Sequence, residues 1–195
     1  VRFQADIERN ALLLLNFAAS DTFGSSLDIF VHKVHQGISG VTKRAELTDD
    51  YIRHSIVTID WRTLLAQAGM PRYVKIDIEG NEVPFLQGML QDRRVPEFIS
   101  VECYQFRPTE MLHELGYKRF KLVDQNPPGG FQLPARQLEG RSVKTANFKH
   151  ASGPFGLDIF GDGEWMDFDS FHVAWKTLQP TFNRTWFDCH AWNPH

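Results

Sequence analysis

No apolar run in these 195 residues approaches the ~20 needed to cross a bilayer as a helix. The longest, Ala11 to Leu15, is strand-sized. Neither charge is in marked excess: 21 basic against 24 acidic side chains leave a net −3. That excludes the basic footprint of a nucleic-acid binder or of a protein drawn to an acidic membrane. Cysteine is scarce. Cys103 and Cys189 are too few for a disulfide framework, and a reducing, cytoplasmic setting is expected, with both as plain buried thiols. Leader-peptide patterning, internal repeats and low-complexity tracts are missing too. His32, His35, His54 and His150 are scattered without ligand spacing, so surface or loop roles are expected for them and no histidine metal site.

What is present is a rhythm. After "ALLLLNFAASD" (11–21), a buried strand or helix end running into a loop, "SLDIFVH" (26–32) alternates as a half-buried strand. Residues 34–54 have no clear period and are expected to be loop. Then "SIVTIDW", "RYVKIDI", "EFISVECY" and "KRFKLVDQ" read as strands. The stretches "RTLLAQAG", "NEVPFLQGMLQD" and "PTEMLHELG" between them read as helices, closed by Gly69 and Gly116 in the first and third. Strand alternating with helix predicts an α/β domain with a parallel sheet. The expected organisation is one domain over residues 1–195, with 126–195 as a less regular C-terminal extension. In that extension "DFDSFHVAWKTL" forms a helix with Phe168, Phe171, Trp175 and Leu178 on one stripe.

Within "YVKIDIEGNE" (73–82), charged and apolar residues alternate at the end of a strand. Period two puts Lys75, Asp77 and Glu79 on one face. Ligands of open parallel sheets bind beyond the carboxyl ends of the strands. Asp21, Asp77, Glu79 and Glu102 all fall at such ends. Unpaired burial of these groups would be costly, so either an ion-pair network such as Lys75–Asp77 or Lys75–Glu102, or a site with tuned carboxylates, is expected. Gly80 gives a sharp exit, Asn81 is a candidate N-cap and Glu82 favours the first helical turn.

The segment "VTIDWRTLLAQAGMPRYVKIDIEGNEVPFLQGM" resembles the signature of FkbM-type S-adenosylmethionine-dependent methyltransferases. Thr58, Asp60, Lys75, Ile76, Asp77, Glu79, Gly80, Glu82, Leu86 and Gly88 match the pattern. Upstream of it "AASDTFG" resembles the family's Ala-x-Ser-Asp-x-x-Gly, and "SVE", "SGPFG" and "WFDCHA" match in order after it, so the resemblance runs from about Ala11 to Trp192. It implies a class I, Rossmann-like fold and methyl transfer from S-adenosylmethionine to a hydroxyl of a sugar or small metabolite. It further implies cofactor contacts at Ser20 and Asp21, near the adenine, and at Asp77, near the transferring methyl. Asp77 or Glu79 would orient or deprotonate the acceptor. Lys75 would hold the carboxylate charged or stabilise a developing alkoxide, with Glu102 beside them. The family's Gly-rich cofactor turn is not in this sequence and its order would place it before residue 1. The expectation is a chain without its first strand–helix unit, which alone would bind cofactor poorly. "FQAD" (3–6) resembles the acidic end of the second strand.

Two other readings stay open. A methyltransferase relative can serve as a non-catalytic binding module. A metal-dependent hydrolase can use the same carboxylate edge, with Asp77, Glu79, Glu102 and His190 as ligands. Against the latter, His190 in "WFDCHAW" is expected to pack the C-terminal tail onto the domain. The sequence bears on neither the acceptor's identity nor the oligomeric state.

Overall fold

A computed structural model describes residues 4–8, 12–34, 39–41, 50–124, 132–133, 136–138, 141–143, 146–147, 165–181 and 187–194. In chain order the elements are α1 (Gln4–Glu8), β1 (Ala18–Ala19), β2 (Ser26–His32), β3 (Tyr51–Ile59), α2 (Trp61–Ala68), β4 (Tyr73–Ile76), α3 (Glu82–Asp92), β5 (Phe98–Glu102), α4 (Arg107–Glu114) and β6 (Arg119–Asp124). Four short strands follow: β7 (Gln132–Leu133), β8 (Arg136–Leu138), β9 (Arg141–Val143) and β10 (Ala146–Asn147). The chain then forms α5 (Phe168–Leu178) and β11 (Phe187–Trp192).

The expected α/β alternation is present, but the main sheet is mixed rather than parallel. Its order is β4-β5-β11-β6. β4 and β5 are parallel, whereas β11 enters between β5 and β6 and runs antiparallel to both. The terminal "FDCHAW" is therefore an interior strand and not a tail laid on the surface. Its alternation explains why it fits there. Phe187, Cys189 and Ala191 face the apolar core, and Asp188 and His190 face the other way.

The core lies between one face of this sheet and the helices. Ile76, Ile99, Val101, Phe120 and Cys189 supply the sheet side. Trp61 and Leu65 of α2, Phe85, Leu86 and Met89 of α3, Met111 and Leu112 of α4, and Phe171 and Trp175 of α5 supply the helical side. Three aromatics packed in this core have their polar atoms satisfied on backbone. Trp61 Nε1 donates to Arg94 O at 2.7 Å, Trp175 Nε1 to Cys103 O at 2.8 Å, and Tyr117 Oη to Pro96 O at 2.8 Å.

A second, three-stranded sheet has the order β1-β3-β2, with β1 parallel and β2 antiparallel to β3. β3 begins at Tyr51, so residues 51–54 are strand rather than loop. The apolar run before β1 is not a buried strand: Leu13 and Leu14 are 59% and 60% exposed, and only Ala18 and Ala19 pair. "FQAD" does not end a strand, because Gln4–Glu8 is a helical turn. Residues 152–156, "SGPFG", lie outside the described residues.

Candidate functional site

The polar face of the main sheet follows from its register. Lys75 pairs with Ser100, Ser100 with His190, and Glu102 with Asp188. Directly paired residues project to the same side, so these five share the face opposite the helices. Near its floor the Tyr73 and Ser100 hydroxyls share a 2.5 Å hydrogen bond. At its carboxyl end Lys75 Nζ donates to Asp188 Oδ2 at 2.5 Å and lies 3.7 Å from Asp77 Oδ2. The Asp188 side chain is 1% exposed and Lys75 19%, whereas Asp77 is 50% exposed.

β4 stops at Ile76, two residues earlier than its alternation suggests. The following turn carries the site. Glu79 sits at φ 50° and Gly80 at φ 104°, in the left-handed region that turns the chain sharply. The Glu82 carboxylate folds back from the first turn of α3. Its Oε1 accepts from the Ile78 N–H at 3.3 Å and the Gly80 N–H at 3.2 Å, and its Oε2 from the Gly80 N–H at 3.1 Å. Asn81 makes no side-chain cap to α3; its amide donates instead to Ala19 O, tying the turn to β1. The turn is also held from outside. Val41 N–H donates to Glu79 O at 3.2 Å, and Gly40 lies so close that a Cβ there would come within 2.6 Å of that oxygen.

Lys75, Asp77, Glu79 and Glu102 are thus brought together. One carboxylate oxygen from each of Asp77, Glu79 and Glu102 lies within 4.8 Å of the others. Glu79 and Glu102 line a cleft of about 350 Å³ with Gly40, Gly80, Tyr104 and Gln105. Partial burial, reinforced by Asp77 and Glu79, raises the Glu102 carboxyl to about 7. Burial also raises Asp188, more than Lys75 opposes. Burial, together with Lys75 and Lys121, pushes His190 down to about 3, so its imidazole stays neutral.

Ser20 and Asp21 are held elsewhere. Ser20 is buried and its Oγ donates to Asp21 Oδ1 at 3.2 Å. Asp21 lines a second cleft, with Thr22, Phe23, Asp60, Arg62 and Gly88, that shares no lining residue with the first. Asp188 escaped the sequence reasoning. The signal was available: an acid inside the apolar run "WFDCHAW" needs a buried partner, and Lys75 is that partner. Cys103 and Cys189 are buried free thiols, as expected, and burial raises both.

Among known families, the model of the methyltransferase FkbM domain matches residues 9–122, more than half of the 195. That span includes every strand-end carboxylate described above except Asp188. No curated protein and no solved structure matches the chain.

Proposed function

The chain belongs to the FkbM methyltransferase family, and from that premise we propose that it transfers a methyl group from S-adenosylmethionine to a hydroxyl of a sugar or small metabolite. The observation that carries this reading is the grouping of Asp77, Glu79 and Glu102 at the carboxyl ends of β4 and β5, beside the Lys75–Asp188 pair. Its donor set fits the cofactor: oxygen acceptors with net negative charge suit a sulfonium and an ammonium. In the second cleft the Asp21 carboxylate suits an exocyclic amine and the Phe23 ring offers an apolar face. On this reading the further frame is a class I, Rossmann-like fold.

When bound, the cofactor supplies an electrophilic methyl for in-line displacement by an acceptor oxygen. The protein's part is alignment and proton handling. Asp77, half exposed at the end of the strand, accepts a hydrogen bond from the acceptor hydroxyl and orients its lone pair. Glu102 has its affinity for a proton matched to neutral pH, which suits a general base. Lys75, clamped by Asp188, holds its ammonium at 3.7 Å from Asp77, where it offsets the charge that develops on the acceptor.

Methyl transfer from radiolabelled S-adenosylmethionine to a panel of sugars and hydroxylated metabolites tests this. Asp77→Asn is expected to lower turnover by at least 10²-fold with an unchanged unfolding midpoint. Wild-type rates in that variant would remove Asp77 from the mechanism.

A further inference from the structure

We propose that Tyr104 determines which acceptors the β4–β5 cleft takes: its ring is the platform for one face of a single sugar ring, whose hydroxyls reach Glu102 and Gln105. Tyr104 stands just beyond β5, on backbone that is fixed at both ends. Before it, buried Cys103 donates its N–H to Phe187 O at 3.0 Å. After it, Phe106 stacks on His172 with ring centroids 4.1 Å apart and packs against Phe171 and Trp175. The Phe106 carbonyl also accepts from the Thr109 N–H at 3.0 Å, at the start of α4. Yet the Tyr104 side chain is not used by the core. The residue is 49% exposed, and among the described residues its ring has no aromatic partner and its hydroxyl no hydrogen bond. A rigid ring on fixed backbone binds a ligand with little loss of conformational freedom.

An exposed aromatic is by itself commonplace. The place of this one gives it a use. Among the described residues it is the single aromatic lining the cleft of about 350 Å³, and Glu102, Gln105, Ser39 and Gly40 line it too. Burial and the nearby Glu102, Glu79 and Asp77 push its phenol up to about 12, so it stays protonated beside those carboxylates. A sugar ring complements such a wall. The C–H bonds on one of its faces carry slight positive charge, and the face of an aromatic ring is its negative pole. Its hydroxyls, spread around the edge, both donate and accept, which suits a carboxylate and an amide. A flat acceptor with two hydroxyls would leave part of that polar lining unmatched. The volume lies near the low end of the roughly 300–1,000 Å³ of small-molecule pockets and suits one ring rather than several.

Only the use of the bound sugar, as methyl acceptor, rests on the reading above. Saturation-transfer nuclear magnetic resonance tests the site on the protein at its full natural length, with and without the demethylated cofactor. The probes are methyl glycosides of the common hexoses, sorbitol, which has the hydroxyls without a ring face, and catechol, which is flat. A glycoside should bind, with saturation strongest on the C–H protons of one ring face, and sorbitol and catechol should bind more weakly. Tyr104→Ala should weaken the glycoside roughly tenfold, and Tyr104→Phe, which keeps the ring, should match the wild type. Both variants should keep the wild-type unfolding midpoint, since the side chain is half exposed. Absence of glycoside binding by the wild type, equal binding of sorbitol or catechol, or binding that Tyr104→Ala leaves unchanged would overturn the proposal. Glycoside binding through Tyr104 by a protein that binds no S-adenosylmethionine would keep the platform and sink the methyltransferase reading; cofactor binding without glycoside binding would do the reverse.

Discussion

Two ionisable residues on the polar face pull stability in opposite directions with pH. Glu102 binds its proton more tightly in the fold, so its contribution is complete below about 4.5 and is lost as pH climbs through about 7. His190 binds its proton less tightly, so its contribution is complete above 6.5 and is lost as pH falls toward about 3. Between about 4.5 and 6.5 the two slopes oppose each other. Urea unfolding at a series of pH values checks this. Glu102→Gln should gain on the wild type by roughly 1–2 kcal/mol from pH 4.5 to 7, after allowance for screening of a partly exposed acid. Its own curve should expose the His190 slope. The Lys75–Asp188 pair makes a second residue-level prediction. Lys75→Met leaves a buried carboxylate without its cation and should cost about 3–5 kcal/mol, while adding Asp188→Asn should recover most of it. A double-mutant cycle in urea would show additive losses if the two groups were independent.

Among the elements, the strand–helix alternation from residue 55 to 124 was legible because each apolar period matched one packed face. The matched motif residues divide by role once placed. Thr58 and Asp60 are structural: the Thr58 hydroxyl accepts from the Ser25 N–H at 3.1 Å, and Asp60 caps α2 by accepting from the Thr63 N–H at 2.8 Å. Gly88 lets α3 approach the backbone of Asp21, where a Cβ would meet its Cα at 3.3 Å. The place of β11 was not legible. An antiparallel strand inserted between β5 and β6 is a long-range pairing, and no local pattern in "WFDCHAW" specifies a partner. The link from β2–β3 to the site was equally hidden, since it runs through the contact of Gly40 and Val41 with Glu79. Gly40→Ala should force the turn aside, cost about 1–3 kcal/mol and speed hydrogen exchange at the Val41 amide. Unchanged exchange there would mean that the turn does not depend on this contact.

At the scale of the whole molecule, two sheets meet around one acidic corner. The larger sheet supplies the carboxylates and the Lys75–Asp188 pair. The smaller supplies the wall that holds Glu79 and, through β1, the Ser20–Asp21 pair. Among the described residues no helix is long and apolar enough to cross a membrane. The α/β alternation and the charged strand end could be read from the sequence because both are periodic. The chemistry needed the family, whose match covers residues 9–122. The central claim is that this corner serves a methyl donor. Isothermal titration of S-adenosylmethionine and its demethylated product into the protein at its full natural length tests that most directly. One molecule of either is expected to bind per chain, with Asp21→Ala weakening both. A folded protein that binds neither would contradict the account.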